Sequence, residues 1–104
     1  MASELSKAKR KRTAKRNVVI KTILPQCEEI LKQERNRDSS DTAKILQYEL
    51  KEVGIEVKWL DEMVADLVED DDEYGEVETS SFELGLKAKK MDTKLTAFLA
   101  SVET

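Results

Sequence analysis

Apolar residues recur at steps of three and four along most of this chain, which is the spacing of one face of a helix. Val19, Ile20, Ile23, Leu24, Cys27, Ile30 and Leu31 form the first such set. They predict a helix over about 17–34. Pro25 lies inside it, and a mid-helix proline removes a backbone hydrogen bond and crowds the preceding turn, at a cost of about 3 kcal/mol. The helix is therefore expected either to kink near Lys21–Pro25 or to restart at Pro25. Glu34–Ser40 reads as a polar connection, and Asp38, Ser39, Ser40 and Asp41 offer N-cap oxygens for the next helix.

The second helix is predicted over about 41–69. Its seam is Ala43, Leu46, Leu50, Val53, Val57, Leu60, Val64 and Leu67, with the alternating steps of a heptad repeat. Asp70, Asp71 and Asp72 break the pattern, and Asp70 with Glu73 has the outline of a capping box. The third helix is predicted over about 73–101, with the seam Tyr74, Val77, Ser81, Leu84, Ala88, Met91, Leu95 and Phe98, continuing toward Val102. Folded about the acidic turn, the two seams meet layer by layer. Leu67 faces Tyr74, Val57 faces Leu84, Leu46 faces Leu95 and Ala43 faces Phe98. Several layers set a large residue against a small one, as interdigitating packing requires. The pattern predicts an all-α fold: a long antiparallel, coiled-coil-like helical hairpin, completed by the N-terminal helix as a three-helix bundle.

Some apolar residues lie off these seams. Ile45, Tyr48, Ile55 and Trp59 make a second stripe on the second helix, and Phe82, Leu86 and Leu99 lie off the seam of the third. Either the first helix packs over them or a partner chain does. Gly54 and Gly85 fall inside predicted helices, where each costs about 1 kcal/mol relative to Ala. They permit close helix approach or are simply tolerated.

Charge changes the picture at the N-terminus. The chain has 104 residues, of which 38% are charged, with a formal net charge of −4. That balance is segregated: residues 1–16 carry seven basic side chains and one acid, and the remainder carries 11 basic and 21 acidic ones. Residues 1–16 read as a basic, partly disordered arm on an acidic helical domain spanning 17–104. Lys7, Lys9, Arg10, Lys11, Arg12, Lys15 and Arg16 are the candidate nucleic-acid contacts, acting through counterion release on RNA or DNA. No aromatic residue is interleaved, so base stacking is not indicated. The same run fits a nuclear import signal or a solvated terminus.

Candidate chemistry is sparse. Histidine is absent and there is one cysteine, which removes imidazole bases, Ser-His and Cys-His pairs, and His- or Cys-rich zinc sites. Asp70–Ser81 fails as a calcium loop: Tyr74 stands at position 5, where a ligand oxygen is wanted, and Ser81 at position 12, where a bidentate Glu is needed. Cys27 reads as a small buried hydrophobe. No catalytic residue, metal ligand, cofactor or small-molecule substrate is implied. No apolar run is long enough to span a bilayer and the N-terminus has no apolar signal core. The expected location is intracellular, cytoplasmic or nuclear.

The order of features also matches a family pattern. KRTAKR leads into LPQCEEIL, then ILQYELKEVGIEVKWLDEMVADLVED, then DEYGEVETSSFELGLKAKKMDTKLTAFL. With its Lys58-Trp59-Leu60-Asp61-Glu62 stretch, this resembles the helical domain of unknown function near the N-terminus of Gag-like polyproteins of Pao/BEL-type retrotransposons. The resemblance covers roughly residues 10–100 and departs at Pro25 and Gly85. It implies assembly or scaffolding with RNA nearby, and it carries no catalytic residues. The combined expectation is a non-enzymatic interaction or assembly module. Ile45, Tyr48, Ile55 and Trp59 are its contact face for self-association or a protein partner, and nucleic-acid binding through the basic arm is the alternative.

Overall fold

The computed structural model describes residues 3–102. Residues 1, 2, 103 and 104, which the expected arm and helical domain included, lie outside the described residues, as does the side chain of Val102. The fold is all-α. Helix α1 spans Glu4–Val18, a π-helical turn covers Val19–Ile23, α2 spans Leu24–Lys32, α3 spans Arg37–Leu67 and α4 spans Asp71–Val102. The first three pieces form one continuous helical rod, so the molecule is a bundle of three helices, 53 × 24 × 16 Å.

Residues 4–16 are therefore helical and packed, not a partly disordered arm. Ser3 caps the helix, its Oγ accepting the Ser6 N–H at 3.1 Å. Glu4 lies in the first turn, at the end of the helix dipole that favours its charge. Leu5, Ala8, Arg12, Arg16, Val19, Ile23, Cys27 and Ile30 form one inward-facing row, buried or partly buried, running the length of the rod. The apolar pattern is legible only from Val19 onward because two of the earlier row positions hold arginine.

Pro25 neither breaks the rod nor forces a restart. Leu24 donates its N–H to the Val19 carbonyl, five residues back. The widened turn makes room immediately before the proline ring, where a regular α-turn would press it against a carbonyl. Pro25 itself stands directly after this turn, as the second residue of α2.

Helix α3 starts earlier than expected, at Arg37. Asn36 is the cap: its Oδ1 accepts the Ser39 N–H and Ser39 Oγ accepts the Asn36 N–H, both at 2.9 Å. Such a cap stabilises the helix by about 1 kcal/mol. The turn to α4 is Val68–Asp70, with Asp70 Oδ1 accepting the Asp72 N–H at 3.2 Å. Glu73 does not complete a capping box there; its carboxylate pairs with Lys9 of α1.

The hairpin register is as the seams predicted. Gln47 of α3 donates to Asp92 Oδ1 at 2.9 Å and Thr96 Oγ1 at 2.8 Å, bracketing Lys94, the position opposite it in the predicted layers. Ala43, Leu46, Leu50, Val57 and Val64 are buried on α3, and Val77, Leu84, Met91, Leu95 and Phe98 on α4. Tyr74 is the exception. It is exposed, because it belongs to the last layer before the turn and nothing beyond covers it.

The core has two parts. The larger joins Val19, Ile23, Cys27 and Ile30 of the rod to the upper seams of α3 and α4. The smaller joins Ala8 to Val64, Ala65 and Val77 near the hairpin turn. Between the two clusters each of the three helices turns polar side chains inward, Arg12 and Arg16, Asp61, and Ser80 and Ser81, beside the partly buried Leu60 of the seam.

Candidate interaction surfaces

Two surfaces carry the residues singled out by sequence. The first is the outward face of α3. Its seam residues point into the bundle, and the helical repeat puts Ile45, Tyr48, Ile55 and Trp59 on the opposite side. All four are exposed, Ile45 at 63% and Trp59 at 73% of their full surface. The first helix does not cover them. It sits beside the seam, held to α3 through Asp61 and Glu56 and through the Ala8–Val64–Ala65 contact. Phe82 and Leu86 of α4 are also exposed, whereas Leu99 packs against the core. Gly54 and Gly85 are not close-approach sites, since an added Cβ at either meets nothing within 4 Å.

The second surface is α1, where the structure divides the seven predicted cations. Lys9 pairs with Glu73, and Lys15 Nζ lies 2.6 Å from Glu56 Oε2. Arg12 and Arg16 turn inward to Asp61. Arg12 Nε is 2.5 Å from Asp61 Oδ1, and Arg16 Nη1 is 3.8 Å from Asp61 Oδ2. Arg16 also reaches the Ser80 carbonyl of α4, with both Nη1 and Nη2 at 3.4 Å. Burial, with Arg12 beside it, lowers the Arg16 pKa from its ordinary value, while Asp61 and Glu83 act in the opposite direction. Lys7, Arg10 and Lys11 are exposed and outside these ion pairs, with Lys7 and Lys11 bordering the groove between α1 and α3 beside Met63 and Asp66.

Asp61 is a site residue that the sequence reading missed: a charged side chain on an acid-rich helix, yet only 3% exposed. Its signal is its place in the chain, next to Leu60 and three residues before Val64 of the seam. The matching signal on α1 is that Arg12 and Arg16 continue the spacing of Leu5, Ala8 and Val19. A carboxylate so placed needs a cation, and α1 supplies a cationic row of matching length. The Arg12 Nη2 atom is buried with no hydrogen-bond partner, so the network is not fully satisfied.

At the far end of the bundle, the Arg35 guanidinium lies 5.7 Å from the centre of the Phe98 ring, within cation–π range. Cys27 is fully buried, and desolvation together with nearby Glu28 pushes its thiol pKa up to about 11. A thiol held neutral is a packing group and a poor nucleophile. Among the described residues, no group of three or more His, Cys, Asp or Glu is placed to hold a metal ion. No described helix is long and apolar enough to cross a membrane. In comparisons with known proteins, no family model, no curated protein and no solved structure matches this chain.

Proposed function

We propose that this chain is a non-enzymatic helical interaction and assembly module whose contact surface is the outward face of α3. The observation that carries this reading is the exposure of Ile45, Tyr48, Ile55 and Trp59 together on one side of one helix. Burying such a side chain gains about 1.5–3 kcal/mol relative to leaving it in water. Contiguous exposed apolar patches of this kind mark interaction sites. The helix that presents them is already held rigid by the bundle, so little ordering entropy opposes association. The test is sedimentation of the purified chain across a concentration series, with and without Trp59→Glu. Concentration-dependent association that the substitution abolishes supports the reading. A monomer throughout, or association indifferent to the substitution, removes it. Gag-like scaffolding is a narrower form of the same proposal. It is tested by whether the parent reading frame continues into a protease, reverse transcriptase or zinc knuckle.

A second reading, nucleic-acid binding, rests on Lys7, Arg10 and Lys11, which are exposed on α1. Three phosphate contacts to a single strand predict a slope of about −2 in log affinity against log salt. Replacing these three residues with Ala should abolish RNA binding if they are its site. Undiminished binding by that variant, or none by the natural chain, ends this reading.

A further inference from the structure

The exposed stripe on α3 is itself part of a heptad. With Ile45, Glu52 and Trp59 at position a, Tyr48, Ile55 and Glu62 fall at d. Lys44, Lys51 and Lys58 occupy g, and Glu49, Glu56 and Met63 occupy e, so the charged flanking positions separate by sign. All five charged flanking side chains are exposed, as is Met63. The two rows lie on opposite sides of the stripe. The glutamate row runs along the α1 side, where Glu56 holds Lys15, and the lysine row along the side of Gln47, which bonds to α4.

In a parallel pair of helices, each g residue meets the e residue five positions further along the partner. In an antiparallel pair, g meets g and e meets e. Here the parallel arrangement sets Lys44 and Lys51 against Glu49 and Glu56 and Lys58 against Met63, whereas the antiparallel one sets Lys against Lys and Glu56 against Glu56. We infer that two copies of this chain pair through α3 in parallel and in register, with Lys44 and Lys51 of each copy meeting Glu49 and Glu56 of the other. This rests on the reading of the α3 face given above. The apolar residues of the stripe supply the attraction. The flanking pairs, being exposed, contribute little affinity and instead select orientation. Glu56 serves both its own Lys15 and the second copy.

Glu52 fits this arrangement as a device for weakness and register. In parallel pairing Glu52 and Glu62 each face their own counterpart, Glu52 between the Ile45 and Trp59 layers, and these like-charge contacts lower affinity. A polar or charged a position commonly trades stability for specificity in this way. The dimer is therefore expected to be reversible.

Orientation is read by crosslinking and by mixing. Parallel pairing places residue 45 against residue 45, within reach of a disulfide. Antiparallel pairing places it against residue 62, about 26 Å along the helix from its counterpart. Ile45→Cys and Glu62→Cys chains are mixed in a glutathione buffer, with Cys27 left in place because it is buried. Crosslinked homodimers of each are expected. Crosslinks confined to the Ile45→Cys with Glu62→Cys heterodimer overturn parallel pairing while leaving the α3 face intact as the contact surface. In the second experiment, wild-type chain is mixed with Glu52→Lys. Only parallel pairing sets the natural Glu52 against the lysine that replaces it in the other chain, so heterodimer should exceed the statistical fraction several-fold. A statistical mixture that still depends on Trp59 overturns the orientation alone. A monomer at every concentration overturns orientation and self-association together.

Discussion

Replacing Asp61 with Ala isolates the polar layer between the two core clusters. Asp61 is 3% exposed, and its partners Arg12 and Arg16 have side chains 17% and 18% exposed. At an effective dielectric of about 20, unit charges about 4 Å apart attract by roughly 4 kcal/mol. Removing one member of a buried pair typically costs about 3–5 kcal/mol, because the other charge stays desolvated. The two arginines retain some exposure and can relax outward, so the lower end applies, about 3 kcal/mol. Against a total stability of about 5–15 kcal/mol for a domain this size, that is a large fraction. The assay is urea unfolding followed by helical ellipticity, in low and high salt. High salt should change the loss little, since the pair is shielded from solvent ions. The decisive comparison is the triple variant Asp61→Leu, Arg12→Met, Arg16→Met. With no charge left unpaired, it should unfold within about 1 kcal/mol of wild type or be more stable. A single variant losing under about 1 kcal/mol, or a triple variant no better than the single, would refute the reasoning.

Three further outcomes follow from the same structure. Gly54→Ala and Gly85→Ala should each raise stability by about 0.5–1 kcal/mol in the same unfolding assay, because both sit mid-helix with open space at the Cβ position. Cys27 should make stability fall between pH 9 and 11: the unfolded thiol ionises near 9.0 and the folded one near 11, so the unfolded chain sheds its proton first. The contribution is present below pH 9 and lost through that window, on the order of 2–3 kcal/mol, and a Cys27→Ala variant should lack this slope. Deleting residues 1–16 should destabilise the chain by more than about 3 kcal/mol, measured by urea midpoint, because it removes Arg12, Arg16 and the Leu5–Ala8 contacts at once.

The hairpin is legible in the sequence because its information is periodic and redundant. The seam residues of both helices repeat one register, and a single misfit such as Tyr74 does not disturb it. The stripe of Ile45, Tyr48, Ile55 and Trp59 is legible for the same reason, as a second period on one helix. Whether the first helix covers that stripe is not. That depends on where the rod docks, and docking is set by Asp61 and Glu56 meeting Arg12 and Lys15 across long sequence separations. Spacing statistics weight apolar residues and discount charged ones, so a row reading Leu5, Ala8, Arg12, Arg16, Val19 stops looking like a core row at its middle. The start of α3 is displaced for a more local reason. Asn36, which is the true cap, precedes four other residues that cap equally well, and only the backbone decides among them.

The charge segregation takes on a different meaning once the rod is in place. A basic stretch on an acidic body first suggests a tether for some external polyanion. The acidic body is that polyanion for four of the seven cations: Glu73, Asp61 and Glu56 take up Lys9, Arg12, Lys15 and Arg16. Two of those contacts are exposed pairs worth under about 1 kcal/mol each, and two converge on a buried carboxylate that cannot be left alone. The energetic reason for the basic stretch is therefore concentrated at Asp61, and its length is set by the distance from that residue to the hairpin turn. What remains available outward is three cations on α1 and, on α3, Met63 and the four large apolar side chains of the stripe. The cations are solvated at little cost when nothing is bound. The apolar side chains are not, and each leaves a cost in water that only a second surface relieves. That asymmetry is why the α3 face carries the functional proposal and the basic stretch is, first of all, part of the fold.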